Sequence, residues 1–226
     1  MLLIALRFQQ VTDFYRVVKD IRCGMAEFEV VLTECYAPEA GKAIAANLRA
    51  HISVGHPNYF VRRSLGEFPQ FIQLIADQTI WKTAFGVAAT AFLGRLGYRL
   101  ADITWDQVTN LFGNKGSEPL VEAARILSDA KQQANVPVTL NLGVNISNRY
   151  TPAFLHVPSD DPAEIAYAIA IFVAKMPLII EALEDDTAAN VILGDPAATI
   201  VDNGNIFLTW HTFIDNEIRK RSALIT

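Results

Sequence analysis

The chain has only two cysteines among its 226 residues, Cys23 and Cys35. Two thiols cannot build a disulfide framework in a chain of this size, and no Cys or His spacing matches a zinc site. Basic residues do not dominate either: 19 Lys and Arg stand against 24 Asp and Glu, a net charge of −5. Such a balance lacks the general attraction to phosphate backbones, so nucleic acid is not an expected partner. The opening MLLIALRFQQ is apolar, but Arg7 interrupts it, and neither a basic flank nor a small-residue cleavage site accompanies it. It is read as a strand rather than a secretory leader, and the expected compartment is the cytoplasm.

Motifs of catalysis are also missing. No GxGxxG, GxSxG, HExxH or calcium-loop pattern occurs. The run GNKGS at residues 113–117 follows a helical pattern and carries its lysine before the second glycine, the wrong order for a phosphate loop, so it reads as a turn. No cofactor and no metal are expected.

What the chain does have is apolar content. Hydrophobic residues make up 51% and charged residues 19%, with a mean hydropathy of +0.23. Disorder is excluded as the general state, and the surplus suggests a well-buried domain or an oligomer that hides extra apolar surface.

The surplus is concentrated in residues 74–112, read as one long helix or two successive ones starting near Pro69. At 100° per residue, Phe85, Ala89, Phe92, Leu93, Leu96 and Leu100 form one apolar arc. The adjoining arc holds Gly86, Thr90, Gly94, Gly97 and Ala101, a ladder of small residues that lets another backbone come close. Interior glycines cost roughly 0.5–1 kcal/mol each against alanine, which points to a packing gain. A transmembrane span is not expected, because residues 83–94 are uncharged but Lys82 and Arg95 close the run well short of the ~20 residues a span needs. Peripheral membrane contact stays open.

Around this stretch the chain reads strand (residues 2–8), helix (11–21), strand (27–35) and helix (37–50, with Pro38 at its start). Residues 118–134 read as an amphipathic helix, 136–146 and 153–157 as strands, and SDDPAE at 159–164 as a helix start with Asp161 as cap. Asn203-Gly204 between two apolar runs predicts a hairpin, and residues 214–221 a short last helix. The expected fold is α+β: one mixed or antiparallel sheet of five to seven strands drawn from both chain ends, with a central helical block at about residues 69–134 packed on it. The chain is expected to be a single domain over residues 1–226, with 69–134 as a helical insertion or subdomain.

One loop carries chemistry. His51, His56, Arg62 and Arg63, with Ser64, could combine an acid or base near neutral pH with a two-arginine clamp for phosphate or carboxylate. The spacing fits no known nucleophile or metal motif, so these four remain the weak catalytic candidates. The acidic group Glu181, Glu184, Asp185 and Asp186 reads as a solvated helix end, and His156 as a satisfied strand histidine.

The residues favour a non-catalytic module of a cytoplasmic complex that binds a protein partner or itself, as a homo-oligomer, with Gly86, Thr90, Gly94, Gly97, Phe85 and Phe92 at the contact. One alternative is a membrane-associating effector whose central helix is exposed on activation. A second is a hydrolase or phosphate-ligand enzyme using the His51 to Arg63 loop.

Overall fold

The computed structural model describes residues 27–33, 35–60, 70–96, 104–112, 119–146, 152–185, 191–214 and 217–226. The expected elements at residues 2–8 and 11–21, the turn at 113–117, and Arg62, Arg63, Ser64 and Gly97 lie outside them.

Among the described residues eight strands form one mixed sheet in the order β2-β1-β3-β4-β5-β6-β7-β8. They are β1 (Glu29–Thr33), β2 (Asn58–Phe60), β3 (Gln70–Ala76), β4 (Val138–Val144), β5 (Ala153–Val157), β6 (Val191–Val201), β7 (Asn205–Ile214) and β8 (Glu217–Ile225). The described helices are α1 (Pro38–Arg49), α2 (Gln78–Leu96), α3 (Trp105–Phe112), α4 (Pro119–Gln132) and α5 (Pro162–Asp185). The fold is α+β, with strands from both chain ends and the helical block packed on the sheet, as the sequence predicts.

Local chemistry explains most boundaries. Pro38 sits in the first turn of α1, where its missing N–H is no loss. Thr104 Oγ1 accepts the Gln107 N–H (3.3 Å) while Gln107 Oε1 accepts the Thr104 N–H (3.1 Å), a reciprocal cap that starts α3. Asp161 Oδ1 accepts the Ala163 N–H at 2.7 Å and opens α5. The Asn203-Gly204 turn joins β6 to β7 with both residues at positive φ, 59° and 70°.

Two elements differ from expectation. Residues 70–76, expected at the start of the central helix, form β3, parallel to β4 and antiparallel to β1. QFIQLIA is a short apolar run flanked by Pro69 and Asp77. A strand buried between two neighbours loses the alternation that would distinguish it from buried helix. Residues 217–225, expected to be helical up to Arg221, form β8 along the whole of β7. The open hydrogen-bonding edge of β7 overrides the helical propensity of arginine, lysine and leucine. With β8 and the short β2 the count reaches eight. Gly143 lies within an unbroken β4.

The strand side chains that join the helical core lie on one face: Val30 and Leu32, Ile72 and Leu74, Leu140 and Leu142, Leu155, Leu208. Trp81 of α2 stacks edge-on against Phe28 (4.8 Å between centroids) and against Phe172 of α5 (5.3 Å), which places both helices in that layer. The β3 to β4 and β5 to β6 crossovers step the same way across the sheet from strands of opposite sense and pass over the same face. They are therefore of opposite hand, one of them the rare left-handed form.

Among the described residues one helix, α5, is long and apolar enough by length and composition to cross a membrane, and 67% of its most apolar window is buried inside this fold.

Candidate interaction surface

α2 is rich in apolar residues, with Lys82 and Arg95 its only charged ones. Only half of it is enclosed. Trp81, Phe85, Ala88, Ala89, Phe92 and Leu93 face the core. Phe85 and Phe92, expected at an outward contact, are wholly buried there, because the bulky arc is the one that fills the space above the sheet.

The opposite arc is open. Thr83, Val87, Thr90, Ala91 and Gly94 are exposed, Gly86 is half-buried at its flank, and Val87 is 86% exposed. A Cβ added at Gly86 or Gly94 would meet nothing within 4 Å among the described residues, so no described part of the chain needs those glycines. Thr90 Oγ1 turns back onto the Gly86 carbonyl at 2.9 Å, which spends its donor on the helix's own backbone. The result is an uncharged outward strip bordered by exposed Lys82 and Arg95, low enough in relief for another backbone to lie against it. The small-residue spacing was visible in the sequence. Val87 was not singled out, although it sits four residues after Thr83 and in line with Gly94.

Of the histidine loop, residues 51–60 are described. Its first half is stitched beside β1: the Phe28 N–H donates to the Ser53 carbonyl (2.8 Å), and the Gly55 N–H to the Phe28 carbonyl (2.9 Å). Arg49 Nε donates to the Val54 carbonyl at 2.7 Å, and its Nη2 donates to the Gly55 carbonyl. His51 is half-buried and its N–H continues the end of α1 to the Leu48 carbonyl, while His56 is exposed five residues on. Among the described residues no three of His, Cys, Asp and Glu gather as metal ligands.

Two polar groups buried by the fold could not be read from sequence spacing. Lys131, at the end of α4, is 6% exposed and donates to the carbonyls of Val157 (3.1 Å), Pro158 (2.7 Å) and Ser159. Burial pulls its ammonium below the usual lysine range, and Asp160 opposes that shift. A cleft of about 400 Å³ opens beside it, lined also by Gln132, Val136, Pro137 and Asp160. All three donors of the ammonium are already taken by the backbone, so it is a clamp rather than a reagent.

His156 of β5 stands opposite Asn141 of β4, with Nδ1 2.7 Å from Asn141 Oδ1. Burial lowers its pKa from 6.5. The unfolded chain therefore takes up a proton that the folded one resists, and stability should fall as pH drops below 6.5 and recover above it. Urea midpoints measured across that window should show the loss in the parent and a smaller one in His156→Gln. An equal loss in both would place the acid sensitivity elsewhere.

No protein-family model, curated protein or solved structure matches this chain. The surface on α2 therefore has to be interpreted from its own chemistry.

Proposed function

We propose that the protein is a non-catalytic assembly module that associates through the outward face of α2, with a second copy of itself as the first partner. The observation that carries this reading is the uncharged strip of Thr83, Gly86, Val87, Thr90, Ala91 and Gly94, open between exposed Lys82 and Arg95 on a helix whose other face is core. Each glycine costs an exposed helix up to about 1 kcal/mol against alanine. Among the described residues nothing offsets that cost at Gly86 or Gly94, since a side chain at either position would meet none of them within 4 Å. Close approach of a helix from outside would repay it. Two copies of α2 packed about a twofold axis set the same strip against itself, the self-complementary arrangement of a symmetric dimer.

The reading separates monomer stability from association. Gly94→Ala should stabilise the isolated chain by about 0.5–1 kcal/mol, because nothing there is displaced. Gly94→Leu and Val87→Glu should leave the circular dichroism unchanged and shift the mass seen by size-exclusion with light scattering from dimer to monomer at micromolar concentration. A parent protein that is monomeric at every concentration would overturn self-association.

A further inference from the structure

The sheet ends in an edge that the described chain leaves open. β8 pairs with β7 along its length, and among the described residues no strand lies on its far side. An edge strand presents a row of N–H and C=O groups to any extended chain that comes alongside. The alternation of a strand sorts its side chains between the two faces. Ile218, Lys220, Ser222 and Leu224 stand on the face away from the helices, level with Phe213, His211, Thr209 and Phe207 of β7. Val201 of β6 shares that face through its pairing with Asn205. Ile218 is 66% exposed, Leu224 56%, and Phe207, Phe213 and Val201 about 40% each. Five of the large apolar side chains that the fold leaves exposed are thus gathered on one three-stranded surface.

Charge decides what fits the edge. Arg219, Lys220 and Arg221 follow one another at the middle of β8, all exposed, in a chain whose net charge is −5. The only acid on the strand is Glu217, whose Oε2 lies 3.5 Å from Arg219 Nη2. Antiparallel pairing of β8 with β8 of a second copy, centred near Lys220 or Arg221, would set cation against cation, and like charges directly opposite destabilise a strand pair. A self-paired edge is therefore disfavoured. An acidic strand is favoured by the same three residues.

We infer that β8 is a docking edge for an extended acidic segment of a partner protein, added as a ninth strand, with its carboxylates beside Arg219 and Arg221 and its apolar side chains beside Ile218 and Leu224. Backbone pairing supplies the register and the alternate side chains supply the selectivity. The surface is separate from the α2 strip, so either can fail without the other.

A fluorescent peptide of β8's length that alternates glutamate with valine tests this by anisotropy, against a counterpart carrying lysine in place of glutamate. The acidic peptide should bind, should weaken with added salt, and should slow deuterium exchange across residues 217–225. Arg219→Glu combined with Arg221→Glu should weaken it at least about tenfold. Leu224→Thr should weaken it while keeping all the charges, and unchanged thermal melts would show both variants folded. Equal binding of the lysine peptide, or no binding of the acidic one, would overturn the inference and leave the cations as guards against aggregation. Binding to phosphatidylserine vesicles without binding to the peptide would overturn it in favour of a membrane surface.

Discussion

Replacing Trp81 with alanine should destabilise the fold by about 3–5 kcal/mol, read as a shift in the urea midpoint. That is a large part of the ~5–15 kcal/mol that holds a typical domain together. Trp81 is completely buried where three elements meet, with the rings of Phe28 at 4.8 Å, Phe172 at 5.3 Å and Phe85 at 5.6 Å. Its indole N–H donates to the Gly143 carbonyl at 2.9 Å and so ties α2 to β4. The same glycine serves the opposite face, where a Cβ would come within 2.7 Å of the Phe154 ring and 3.0 Å of Ile75. Trp81→Phe keeps an aromatic ring but leaves that carbonyl without its donor, and should cost about 1–3 kcal/mol. If alanine costs no more than phenylalanine, the indole is not what joins the layers.

Lys131→Met should cost about 2–4 kcal/mol, because the methylene stem is replaced but three backbone carbonyls lose their donor at once. Ser128 Oγ donates to the Asp160 carbonyl at 2.6 Å, so the last turns of α4 hold the whole segment that leads to the Asp161 cap of α5. Lys131→Arg should rescue little. A guanidinium projects its donors in a plane, whereas an ammonium directs three from one point. Hydrogen exchange at residues 158–165 would show the release directly. Fast exchange in Lys131→Met with the rest of α5 still protected is the expected pattern, and unchanged protection would remove the clamp.

Elements with a local chemical signature were legible from the sequence: the cap of α5, Pro38 at α1 and the Asn203-Gly204 turn. β3 and β8 were not legible, for opposite reasons. β3 is apolar on both faces and carries no periodicity to read, and β8 is polar and takes its conformation from the edge it covers. The α2 strip was visible as a spacing of small residues, but its direction was not. The bulky and small-residue arcs of α2 adjoin on the helical wheel, and spacing alone does not say which of them meets the sheet. The partners of Lys131 and His156 lie on other strands and loops, so they follow from sheet register alone.

The pairing of β3 with β4 has a kinetic consequence. These neighbours run parallel across residues 77–137, with three described helices in between. The β6 to β8 meander, in contrast, closes through short turns, and hairpins of that kind form on the order of 1–10 μs. A parallel seam spanning so much chain must wait for the intervening helices to dock, on a scale of roughly milliseconds or longer. The centre of the sheet is therefore the last part to close during folding. Until it does, the apolar edge of β3 stands open to any neighbouring chain, so refolding yield should be governed by protein concentration before it is governed by final stability.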